Sequence, residues 1–155
     1  MHSSKVKTVN PALKELGPLI GDWDMELSNA SFLPDPSGVI RGTALFEWIE
    51  DGDFLAHRQG NKTAGAPYAT WLISRDESSP HYQVFFFDDR QGSRVYEMSF
   101  GKGVWKLWRN APGFSQRFEG KLSGDGKTIL AFWEKSVDGK AWKHDFDLKY
   151  IKRQA

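Results

Sequence analysis

Five polar side chains fall, by strand alternation, on faces that are otherwise apolar, and these are the residues of the sequence best placed to do chemistry. Arg94 and Tyr96 share a face with Met98 and Phe100, whereas Val95, Glu97 and Ser99 occupy the opposite one. Arg109 follows Trp105 and Leu107, Gln116 lies between Phe114 and Phe118, and His144 sits within the series Trp142, His144, Phe146, Leu148, Tyr150. Buried without partners, each such group would cost on the order of 1–3 kcal/mol, and a charge more. They are therefore expected to bond one another, water or a ligand. An arginine beside a tyrosine, a glutamine and aromatic rings suits a small, partly apolar molecule carrying an acidic or carbonyl group. An inward histidine also suits proton transfer, with Arg109 or Tyr96 polarising a carbonyl. Each residue has a structural reading as well. Arg109 can plug a barrel end, stacked on a tryptophan or paired with Asp88 or Glu47; His144 can be a hydrogen-bonded core residue; Gln116 can belong to a network.

Other chemistries have weaker support. Paired carboxylates could be drawn from Glu47, Asp88, Asp89, Glu134 and Asp145, but that chemistry depends on their separation. Asp89, Asp138 and Asp145 read more simply as turn or outer-face residues. No nucleophile-elbow pattern surrounds a serine. Gly101-Lys102-Gly103 and Gly124-Asp125-Gly126-Lys127 lack the length and the following helix of a phosphate loop, and read as hairpin turns. His2, His57, His81 and His144 are scattered without a paired spacing, so no metal site is expected.

The elements that must carry these residues are almost all strands. Candidate strands cover 22–31, 39–50, 53–61, 67–76, 81–89, 93–100, 103–110, 114–122, 127–136 and 140–152. Asp51-Gly52, Gln91-Gly92, Pro112-Gly113 and Asp138-Gly139 punctuate them, supplying the backbone conformations that tight hairpins need. Trp23, Met25 and Leu27 face inward in the first strand, while 39–50, 81–89 and 127–136 carry apolar groups on both faces and remain unassigned. One segment reads as a helix: Asn10 caps it, Pro11 opens it, Leu13, Leu16, Leu19 and Ile20 recur along it, and Gly21 ends it. The pattern predicts an all-β, up-and-down antiparallel barrel of about ten strands, with the short helix closing one mouth. A sandwich is the alternative. Residues 1–155 read as one domain with a flexible tail over 1–9, and Pro34-Asp35-Pro36-Ser37-Gly38 reads as a long loop near the mouth.

Composition narrows the class of partner. Lys and Arg number 21 against 20 Asp and Glu, a balance that gives no basic excess for gripping a phosphate backbone, so no nucleic acid is expected. No apolar run approaches a membrane span. There are no cysteines, which excludes disulfides, thiolate metal sites and a cysteine nucleophile. No apolar stretch follows the charges of Met-His-Ser-Ser-Lys-Val-Lys, so a secretory signal is not expected and the location is read as cytoplasmic. With 7 Trp, 11 Phe and 4 Tyr the chain is rich in rings that build a bulky β core and also line small-molecule pockets.

The ordered set Gly21-Asp22-Trp23, Phe46-Glu47-Trp48, Gly52-Asp53-Phe54-Leu55, Phe87-Asp88-Asp89-Arg90, Arg94-Val95-Tyr96-Glu97-Met98, Trp105 with Trp108-Arg109, Gly113 to Phe118, Trp133-Glu134, and Asp138-Gly139 with Trp142 and Asp145-Phe146 resembles an uncharacterised bacterial family of lipocalin-like (calycin) domains of unknown function. The resemblance runs from about Leu13 to Tyr150. It implies a ten-strand barrel able to hold a small ligand, with Trp23 packed structurally at the closed end against a basic residue. More distantly the chain resembles the nitrobindins, barrels that bind haem through a late histidine, a position His144 would fill. The glycine that follows the opening tryptophan in that family is missing from Gly21-Asp22-Trp23-Asp24-Met25-Glu26.

The leading expectation is a barrel that binds a small hydrophobic or aromatic molecule through Tyr96, Trp105, Arg109, Gln116 and His144, with no cofactor. An enzyme acting on a carbonyl compound with His144 as acid/base, haem binding through His144, and a homodimer formed through strand-rich surfaces are the competing expectations.

Overall fold

In a computed structural model, which describes residues 8–35, 37–61 and 66–154 (side chains of 66 and 67 excepted), ten antiparallel strands close into a barrel. They are β1 (Gly21–Ser28), β2 (Ile40–Ile49), β3 (Phe54–Asn61), β4 (Ala66–Ser74), β5 (Tyr82–Asp88), β6 (Ser93–Gly101), β7 (Val104–Arg109), β8 (Ser115–Leu122), β9 (Thr128–Ser136) and β10 (Lys143–Lys152). Each strand pairs with its sequence neighbours, and β1 pairs with β10, Met25 opposite Tyr150, to close the ring. Closure leaves no free sheet edge. No described helix is long and apolar enough to cross a membrane.

The N-terminal helix is a 3-10 helix, Pro11–Leu19. Its apolar residues explain the tighter winding. Leu13, Leu16 and Leu19 recur every third position, and three residues per turn places all of them on one face. All three are completely buried against the barrel. Asn10 caps the helix by accepting from the Ala12 amide over 3.0 Å, as its position before Pro11 predicts. At the start of the described residues, the Asn10 amide donates to the Gly52 carbonyl over 2.8 Å and Val9 lies against Gly52. Residues 1–7, including His2, lie outside the described residues.

The helix seals one end. Trp23 donates its indole N–H to the Leu19 carbonyl over 2.9 Å, and Lys152 Nζ lies 5.1 Å from the centre of the Trp23 ring. Above this plug a continuous aromatic core fills the barrel, with Trp105 at its middle in contact with Phe46, Trp71, Phe118 and Tyr150. Pairing also settles the faces that alternation left open. Ala44 and Phe46 of β2, Tyr82 and Val84 of β5, and Ile129, Ala131 and Trp133 of β9 are buried, whereas Phe85, Phe87 and Leu130 stand outside.

β10 departs from strict alternation. In β10, His144 pairs with Glu134 and Phe146 with Trp133, so two residues of β10 advance against one of β9 and Asp145 is the extra residue of a bulge. The inward series is therefore Phe146, Leu148, Tyr150, and the phase reverses before it. His144 and Trp142, expected inside, stand outside: His144 is exposed and bonds Asp147 Oδ1 over 2.8 Å, and Trp142 lies beneath the Arg117 guanidinium at 4.2 Å. Asp145, expected outside, is buried.

Candidate functional site

The end of the barrel opposite the helix opens into a cavity of about 230 Å³. Its mouth is formed where β1 leaves, β4 enters, the β5–β6 turn passes and β8 and β10 begin, with Phe32 reaching in from the β1–β2 connection. The long loop expected over 34–38 belongs to that same connection, although Pro36 lies outside the described residues. Trp71, Phe86, Phe114, Trp133 and Phe146 supply rings to the wall, and Met25, Leu27, Ala69 and Leu148 fill between them.

Among these apolar groups stands one buried polar cluster. Tyr96, only 2% exposed, donates its hydroxyl to Gln116 Oε1 over 2.6 Å, and Arg94 Nη1 donates to the same oxygen over 3.2 Å. β6 carries Arg94 and Tyr96 two residues apart on its inner face, while β8 presents Gln116. Burial raises the Tyr96 pKa above its ordinary value, a shift that the Arg94 charge partly opposes. The phenol therefore stays protonated and remains a donor at neutral pH. The guanidinium also lies 5.2 Å from the Phe114 ring centre and 5.9 Å from that of Phe86, packed among aromatic faces at the mouth.

Two carboxylates line the same space, and both are engaged. Asp88 accepts from the Arg90 and Gly92 amides over 3.0 and 2.7 Å, holding the β5–β6 turn. Asp145 accepts from the Ser31 hydroxyl over 2.9 Å and faces Lys135 Nζ at 3.2 Å.

Beneath the cavity lies a second polar group that alternation did not single out. His57 is completely buried, stacked on Phe46 at 3.9 Å between ring centres, with Nδ1 3.1 Å from the Leu45 carbonyl and Nε2 2.8 Å from Gln59 Oε1. Tyr150 donates to that same Gln59 oxygen over 2.6 Å. Loss of hydration lowers the His57 pKa to about 4, against the opposing pull of its bonds to Gln59 and Leu45, so the ring is neutral at physiological pH. Burial likewise pushes the Tyr150 phenol well up. Leu55, Ala56 and His57 are all buried, which masks the two-residue period that would have placed His57 inside.

The expected site residues thus separate. Tyr96 and Gln116 line the cavity and bond each other. Trp105 lies deeper, as part of the core rather than of the wall. Arg109 is outside the cavity and donates to the Phe114 carbonyl over 2.9 Å, pinning the β7–β8 turn; it pairs with neither Asp88 nor Glu47, and Glu47 instead bonds Arg58 on the outer face. The bulge carries His144 out of the barrel, and it does not line the cavity. Arg94, Trp71 and Gln59 take the places left open. Among the described residues no group of three or more His, Asp or Glu side chains could hold a metal ion.

No family model matches the chain, and no curated protein matches it. Its barrel is similar to the crystal structure of Rv2717c from M. tuberculosis, with a TM-score of 0.64 over 94% of this chain and 99% of that one. At 14% identity this likeness establishes a shared fold.

Proposed function

We propose that the protein binds a small, partly apolar or aromatic molecule inside the barrel. The observation that carries this reading is the cavity itself: about 230 Å³, open at one end, walled by rings and holding the buried Tyr96–Gln116–Arg94 cluster. Close-packed interiors leave few voids larger than a water. This one has room for roughly eight waters at about 30 Å³ each, which sets the scale of the ligand at one or two fused rings. A few polar groups in an apolar concavity are the usual composition of a small-molecule site. The lipocalin-like resemblance of the ordered motifs lends further support. The reading makes no use of His144.

Native mass spectrometry of the protein as purified, compared with its denatured mass, tests the proposal together with a fluorescence titration using 2-naphthol. A discrete mass lost on denaturation, or saturable quenching that an Ala69→Phe substitution in the cavity wall abolishes, supports it. The absence of both a retained mass and quenching sensitive to the cavity wall would overturn it.

A further inference from the structure

The cavity wall carries a cationic donor, Arg94, with hydrogen-bonding capacity left over. Arginine can only donate, so the Arg94 bond fixes Gln116 Oε1 as the acceptor and turns the Gln116 amide nitrogen away from the Tyr96–Arg94 side. Among the described residues no group accepts from that nitrogen, which keeps some accessible surface. Arg94 adds a guanidinium with five N–H groups, of which one bond is spent on Gln116. The carboxylates on the same wall, Asp88 and Asp145, direct Oδ1 to the turn amides and to Ser31 and Lys135, and neither bonds Arg94. The remaining Arg94 N–H groups are open to an acceptor from outside the chain.

We propose that the bound molecule is an ionised aromatic carboxylic acid, its ring among the aromatic walls and its carboxylate held by Arg94 with the amide N–H groups of Gln116. This rests on the binding function proposed above and names the class of its ligand. A carboxylate is an acceptor-only group with about four lone-pair sites, so it can engage several donors at once. Its charge complements the guanidinium, and charge-assisted bonds of this type are roughly twice as strong as neutral ones. A neutral amide of the same shape lacks the charge that complements the guanidinium.

Titration of the full chain with 2-naphthoate, 2-naphthamide and 2-naphthol, followed by tryptophan fluorescence and calorimetry, separates the two claims. The carboxylate is expected to bind at least tenfold more tightly than the amide at low ionic strength. Arg94→Met, which keeps the aliphatic stem, is expected to bring the two within about twofold by weakening the carboxylate alone. Equal affinity for the acid and the amide, with naphthol still bound, overturns the carboxylate assignment and leaves the binding barrel standing. A preference for the acid that survives Arg94→Met also overturns it, because the charge is then read elsewhere. Failure of all three probes to bind, with no mass lost on denaturation in native mass spectrometry, overturns both proposals.

Discussion

The His57 imidazole stands edge-on to the Trp71 indole, ring centres 4.6 Å apart and planes inclined at 72°, so a fully buried titratable ring supports a wall of the cavity. Its folded-state pKa of about 4 lies below the ordinary value of 6.5 because burial disfavours the charged form. The unfolded chain therefore binds a proton that the folded protein refuses between these values. Stability is complete above pH 6.5 and falls as the pH drops toward 4, by an amount on the order of 3 kcal/mol. Urea midpoints measured between pH 7.5 and 4.5 are expected to show this decline, and His57→Leu is expected to flatten it. A variant with the same slope as the parent would place the titrating group elsewhere.

His144 presents the opposite case. Its ring is exposed and bonds Asp147 three residues along the outer face of β10, beyond the Asp145 bulge. Exposed ion pairs contribute about 0–1 kcal/mol. His144→Ala is expected to leave the unfolding midpoint nearly unchanged and to bind 2-naphthol as the parent does. A hemin titration gives an independent reading: the Soret spectrum of the parent and of His144→Ala should coincide. A shift present in the parent and lost in the variant would require the imidazole to face inward.

The same bulge marks where the sequence was readable and where it was not. Ten strands, their turns and the helical plug follow from alternation and from the Gly-rich punctuation, and the observed bounds lie within about three residues of those expected. Inward placement of Trp23, Tyr96, Trp105 and Gln116 follows from period two alone. A single inserted residue defeats that period, and nothing in Lys143-His144-Asp145-Phe146 announces one: read without it, His144 shares the face of Phe146 and Leu148. His57 escaped for a different reason, since Ala56 on the opposite face is also buried and the local contrast vanishes. Its signal was present all the same, because Leu55 and His57 are two apart. Arg109 was placed on the correct strand face, but a long side chain at a strand end can turn to a backbone carbonyl, here that of Phe114, and period says nothing about that choice.

The Tyr96–Gln116 pair lends itself to a double-mutant cycle. Tyr96→Phe removes the donor while Arg94 still bonds Gln116 Oε1, so a cost of about 1 kcal/mol is expected. Gln116→Leu strands the Tyr96 hydroxyl in a site only 2% exposed, and is expected to cost about 2 kcal/mol. The double variant should cost less than the sum, with a coupling near 1 kcal/mol in urea denaturation. Additive costs would mean that the two side chains are energetically independent.

At the closed end, the junction between helix and barrel depends on one bond that a conservative change can remove. Trp23 Nε1 donates to the Leu19 carbonyl over 2.9 Å, and both residues are completely buried. Trp23→Phe leaves that carbonyl without its indole donor and a smaller ring in the same space, so a loss of roughly 2–3 kcal/mol is expected. Lys152 approaches the same ring at 5.1 Å from the solvent side, where a cation–π contact contributes about 0.5–1 kcal/mol, so Lys152→Met should cost no more than that. Because the helix is held chiefly through Leu13, Leu16, Leu19 and this bond, Trp23→Phe should also speed amide exchange at Leu13 and Ile20, whose N–H groups bond within the helical segment. Exchange at the β4–β6 amides near the cavity should change less. Uniform acceleration across the barrel would instead mean that the plug and the barrel open as one cooperative unit.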